Sequence, residues 1–420
     1  YIKSEGLLVA NMNRPRKERG IGVVVVIAIV ILTAAGATPV GYFIETRGGS
    51  TGGGGGTIAV PYINHDPIYI NGNDDFTAVN GVTGGSGTVS DPYIIEGWAI
   101  SAKNADGIVI RNTTAYFIIR NCLIENGGTI PHLMTIDSLY LDNGYPILYP
   151  DNCCFDYIYY HGIFLDNVIN GRIENNTCSN TNNGIYLKFS SDCTITNNTC
   201  SNNEEVGIHL YESSDCTITN NTCSNNKNGI SLDSSPYNNV TGNACSNNIW
   251  YGIYLYSSPY NNLTGNTCEL NGSNTWNCSP DYLSYGNGYG IYLDSSSYNN
   301  LTGNICSNNH GSGILLYHSF YNNLTNNTCE SNGHNIYYWN DDRHICYDNG
   351  IAIPYPNGYG IYIDSSPYNT ITNNTCSNNK ELGIYLYESS DCVVENNTCE
   401  DNVWPTPILH NLLNDTAPLL

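Results

Sequence analysis

Basic residues are scarce in this chain. It has 14 Lys and Arg against 37 Asp and Glu in 420 residues, a formal net charge of -23. Five of the basic residues, Lys3, Arg14, Arg16, Lys17 and Arg19, stand before Ile21; from Gly48 onward 8 basic residues face 34 acidic ones. A body of that charge repels nucleic acid and anionic lipid and leaves cations, neutral glycans and other proteins as partners. Methionine is also nearly absent: after Met12 there is only Met134, so soft metal ligands outside cysteine are few. None of the 17 cysteines forms a Cys-x-x-Cys pair, and the nine histidines show no metal-ligand spacing. Runs of helix formers are missing, which excludes a solenoid of helical hairpins.

What the chain has is a repeat. Gly-Ile-x-Leu or a close variant begins at Gly107, Gly162, Gly184, Gly207, Gly229, Gly252, Gly290, Gly313, Gly360 and Gly383, with an uninterrupted spacing of 22 or 23 residues. Cys178, Cys200, Cys223, Cys245, Cys268, Cys306, Cys329, Cys376 and Cys399 keep step with it. A unit this short cannot bury its own apolar face, so neighbours must stack. Each unit reads as three short strands. Ile185 and Leu187 share a face with Cys193, Ile195 and Cys200, while Tyr186, Thr194, Thr196, Thr199 and Ser201 face outward. Asn pairs such as Asn197-Asn198 and Asn202-Asn203 supply the turns, because Asn tolerates left-handed backbone and bonds to it. The expected fold is all-β, a right-handed parallel β-helix, preceded by one N-terminal apolar α-helix.

The expected organisation is a basic leader (1–20), a transmembrane or pilin-like apolar helix (21–44), a Gly-rich linker (45–56), a cap with the first strands (57–106), the β-helix (107–400) and a C-terminal cap (401–420). Three fates of the leader stay open: a retained anchor, a cleaved signal peptide at Ala35-Gly36-Ala37, or a cut at Gly20. Lys17-Glu18-Arg19-Gly20 resembles the leaders of archaeal pilins. Either way the rod is placed outside the cell, at its surface.

Ile70-Asn71-Gly72-Asn73-Asp74-Asp75-Phe76, Asp91-Pro92-Tyr93-Ile94-Ile95-Glu96-Gly97-Trp98 and Ala115-Tyr116-Phe117-Ile118-Ile119-Arg120-Asn121-Cys122, with the coils that follow, resemble archaeal surface proteins with NosD-like parallel β-helix repeats. The resemblance spans about residues 57–400. It implies the fold. For function it implies a factor that matures a copper site, a carbohydrate-active or carbohydrate-binding protein, or a surface protein, and it transfers no catalytic residue.

Insertions near 127–160, 269–288 and 330–358 break the period at one corner, the usual place for a solenoid's binding face. Trp276, Tyr282, Tyr337, Tyr338 and Trp339 are the candidate glycan or partner contacts there, and Cys278 with Cys346 is the candidate disulfide. The Cys column reads as a reduced core ladder rather than a metal site. Aligning Ile119–Leu123 on Thr196–Cys200 puts Leu123 in that column. Asn112, Asn271, Asn277, Asn197, Asn220 and Asn262 are the candidate glycosylation sites. The column Asp166, Lys188, Tyr211, Asp233, Tyr256, Asp294, Tyr317, Asp364 and Tyr387 reads as a solvated face, with Ca²⁺ the one cofactor its carboxylates would suit. No catalytic set emerges. The expected function is a glycosylated surface or filament protein that contacts copies of itself or surface glycans. A carbohydrate-active enzyme or binder, and a NosD-like copper-maturation factor, are the alternatives.

Overall fold

A computed structural model describes residues 62–133, 155–272, 288–333, 358–403 and 408–411, together with short paired strands elsewhere. Two compact units divide at Pro61. In the first, Ile27–Ile31 and Val40–Ile44 pair antiparallel. The apolar helix expected over 21–44 is therefore corrected: its β-branched Ile and Val lose side-chain freedom in a helix and suit a strand. Among the described residues no helix is long and apolar enough to cross a membrane.

The second unit is a right-handed parallel β-helix of three 12-stranded sheets. The tyrosine sheet runs from Ile68–Asn71 through the Gly-Ile-x-Leu strands to Ile408–Asn411. The threonine sheet holds strands such as Thr194–Thr196, and the cysteine sheet strands such as Thr199–Ser201. Successive coils stack without slip, as in Ile208↔Ile230↔Ile253 and Cys223↔Cys245↔Cys268. Twelve rungs extend about 50 Å at the usual strand spacing.

Sameness from rung to rung holds the interior together. Ile185, Leu187, Ile195 and Cys200 are buried, as are their counterparts one coil away. At Asn-Asn turns such as Asn197-Asn198 and Asn202-Asn203 the first residue takes the left-handed backbone, as Asn197 does at φ 55°, and the second turns inward. Asn198 Oδ1 accepts from the backbone N–H and the amide of Asn176, and Asn198 Nδ2 donates to Ile173 O at 2.9 Å. Asn221, Asn243, Asn266, Asn304 and Asn327 repeat the pattern. A second stack runs from Asn203 through Asn248 and Asn271 to Asn402. These side chains satisfy the backbone groups that the turns would otherwise leave buried and unpaired.

Leu123 does not join the cysteine column: it pairs with Thr177, and Ile124 pairs with Cys178. Cys122 instead takes a rung of the Asn stack, its N–H donating to Asn176 Oδ1 at 3.0 Å. The expected alignment slips by one because Cys122, Leu123 and Ile124 are all apolar, and residue type alone cannot tell which of them faces inward. The described thiols are free. Cys153, Cys154, Cys278 and Cys346 lie outside the described residues.

Candidate functional site

The outer surface of the tyrosine sheet carries three columns. Directly before each Gly-Ile stand Asp106, His161, Asn183, Val206, Asn228, Tyr251, Tyr289, Ser312, Tyr359 and Leu382. Between Ile and Leu stand Val109, Phe164, Tyr186, His209, Ser231, Tyr254, Tyr292, Leu315, Tyr362 and Tyr385, brought into line by parallel register. The third column is the Asp/Tyr row expected from the sequence, with Arg111 as an earlier rung. The middle column faces outward because Ile and Leu on either side of it are drawn into the core.

Its rings stack. Phe164 lies 5.1 Å from Tyr186 at 9°, and Tyr186 lies 4.9 Å from His209 at 16°. Tyr254 and Tyr292 are 5.2 Å apart, and Tyr362 and Tyr385 are 5.3 Å apart. Tyr251, Tyr289 and Tyr359 pack beside them in a second apolar cluster on the outside of the sheet. Tyr362 Oη donates to Asp364 at 2.8 Å. Burial pushes the phenols up, Tyr186 and Tyr251 to about 12, so these groups stay protonated donors at ordinary pH.

The two ends of this face differ. Toward Tyr385 it is aromatic with interleaved carboxylates. Toward Arg111 it is polar: Arg111 pairs with Asp166 at 2.8 Å and lies 5.2 Å over the Phe164 ring, and the buried Arg111 Nε has no partner. His161 stands edge-on to Tyr186, 4.9 Å away. Burial pulls both His161 and His209 down to about 4, so both imidazoles are neutral above that pH. Asp106 accepts from the His161 backbone at 2.6 Å, and its own burial raises its carboxyl. Sequence reasoning missed Asp106, Arg111, His161 and Phe164 as members of the site. The signal was available: each holds a fixed position around the repeating Gly-Ile.

Other expected sites fare unevenly. Asn197 and Asn220 project from left-handed turns, and Asn112 is exposed, with Nδ2 donating to Asn71. Asn262 is half-buried and donates to Asn239. Asn271 is fully buried in the inner stack, donating to Cys245 O and Asn309 Oδ1, so its expected glycosylation is corrected. The turn that generates the sequence motif there also consumes the amide. Asn277, Trp276, Tyr282, Tyr337, Tyr338 and Trp339 lie outside the described residues.

The family model described as "Periplasmic copper-binding protein (NosD)" matches residues 156–280, 274–354 and 352–412. The chain is also similar to the Azotobacter vinelandii mannuronan C-5 epimerase AlgE4 A-module, at 14% identity and TM-score 0.46 over 84% of this chain and 90% of that one. The periplasmic alginate epimerase AlgG matches at 14% and TM-score 0.38, covering 82% of this chain and 85% of that one. Pectate lyase Pel9A matches at 14% and TM-score 0.37, covering 82% and 81%. No curated protein matches the sequence. The described residues do not fit the copper of the family's description: no three His, Cys, Asp or Glu side chains converge among them. Their thiols from Cys178 to Cys376 stand single file, fully buried in the core. The matched segments cover most of the three-sheet coil, and on that coverage the chain belongs to the NosD family.

Proposed function

We propose that this chain is a polysaccharide-binding β-helix that works outside the cytoplasm and holds an extended, predominantly uncharged glycan along the outer face of its tyrosine sheet. The observation that carries this reading is the outward column of mostly aromatic rings with hydroxyls and carboxylates beside it. Aromatic rings give apolar area at low entropic loss, and flanking polar groups orient a hydroxylated ligand. The acidic body favours a neutral glycan over a polyanion. The export-type leader, exposed Asn112, Asn197 and Asn220, and contact with neighbouring copies belong to the same reading.

The test is affinity electrophoresis and calorimetry of the purified chain against neutral and acidic polysaccharides. Wild type is expected to be retarded by at least one neutral glycan, and Tyr254→Ala with Tyr292→Ala to lose about tenfold in affinity, a change of about 1.4 kcal/mol. Retention of none overturns the proposal. The polar end of the face, with the Arg111–Asp166 pair and the neutral imidazoles of His161 and His209 on neighbouring rungs, has the group types that acid–base chemistry on a sugar requires. New reducing or unsaturated ends in the same incubations would add catalysis to binding.

A further inference from the structure

The outer aromatic column is interrupted where a side chain too small to stack stands at Ser231. Register places His209 one rung before it and Tyr254 one rung after. The far face of His209 is covered by Tyr186 at 4.9 Å, and that of Tyr254 by Tyr292 at 5.2 Å. Tyr251 leans on the side of Tyr254 at 5.1 Å. The ring faces turned toward Ser231 have no stacking partner of their own kind. Two rungs separate the backbones of His209 and Tyr254, about 9.6 Å. A ring inserted midway therefore sits at the column's own pitch from both walls. That is the distance at which the column's own rings stack, and it also admits the face of a saturated sugar ring between two aromatic walls. Ser231 forms the floor, 6% exposed, and Asp233 stands two residues along the same strand. Leu315, another non-aromatic rung of the column, fills its own gap as part of the apolar cluster with Tyr289 and Tyr362.

We propose that one pyranose ring of an uncharged glycan seats over Ser231, sandwiched between His209 and Tyr254 with its hydroxyls toward Asp233. This rests on the glycan reading of the face and assigns the ring's place and class within it. Both walls are uncharged, and the carboxylate of Asp233 accepts hydrogen bonds from sugar hydroxyls while repelling a uronate. The rest of the face then acts as a track along which the chain of the glycan lies.

The experiment fills the seat with the residue other coils use. Ser231→Tyr continues the column, and Ser231→Val fills it in part. Each is compared with wild type for thermal unfolding and for affinity toward the neutral oligosaccharide that wild type binds best. Thr219→Ala, on the outer surface of the threonine sheet and away from the aromatic column, is the control. The expected result is a loss of at least tenfold for Ser231→Tyr, a smaller loss for Ser231→Val, unfolding temperatures no lower than wild type, and near wild-type affinity for the control. Wild-type affinity in both filled variants overturns the seat and leaves the face reading standing. Tighter binding of uronate than of neutral oligosaccharides overturns the choice of ligand. A wild-type chain that binds no glycan removes both readings.

Discussion

The inner and outer surfaces of the tyrosine sheet are made by the same strands, yet they obey different rules. Inward, Ile and Leu repeat with almost no variation from Ile108 to Leu386. Outward, the column from Val109 to Tyr385 passes through Val, Phe, Tyr, His, Ser and Leu. A stacked interior forces each side chain to fill the same volume as its neighbours one coil above and below. The outer face has no such constraint, so variation there is free to hold chemistry.

The contrast can be broken most severely from inside. Asn243→Ala removes the acceptor of the Asn221 N–H and two donated bonds, to Ile218 O and Asn266 Oδ1. With several buried groups left unpaired, chemical denaturation should register a loss of about 3 kcal/mol or more. Gly252→Ala comes next. A methyl there would sit 2.6 Å from Gly290 O and 2.8 Å from Cys268 Cβ, both fixed by the coil. The expected loss is about 2 kcal/mol, seen as an earlier unfolding midpoint.

Acid sharpens the contrast between the ends of the outer face. His161 and His209 are held near 4, below the ordinary imidazole value, so the unfolded chain binds more protons between the two. Stability is then full above about pH 6.5 and falls as pH drops toward 4. The expected loss is on the order of 2 kcal/mol per imidazole, and thermal melts of His161→Phe with His209→Tyr should lack that acid slope. The smallest effect belongs to the exposed corner. Tyr237, Tyr260, Tyr298, Tyr321 and Tyr368 stack there at left-handed φ, where other coils use Asp192, Asp215 and Asp391. Tyr298→Asp relieves the backbone and loses the stack, so the melt should shift by less than the equivalent of about 1 kcal/mol.

Much of the coil was legible because its signals are local. Gly-Ile-x-Leu gave the strand and its faces, and Asn197-Asn198 gave the turn. The slip at Cys122 and Leu123, and the choice of Asn271 as a modification site, share one cause. In both, the residue type suited two adjacent positions, and only the stacking partner distinguishes them. The apolar run at 21–44 was ambiguous in another way, since length and hydropathy do not separate helix from strand when most of the residues are β-branched.

The sequence alone determined the period, the inward face and the direction in which coils stack, because each follows from the alternation of side chains within a few residues. The tertiary structure alone decided which outward residues meet. Arg111 and Asp166 are 55 positions apart, and His209, Ser231 and Tyr254 come from three coils. Insertions of unequal length shift such residues along the chain without moving them in space, so only the rung-by-rung pairing assembles them into one surface.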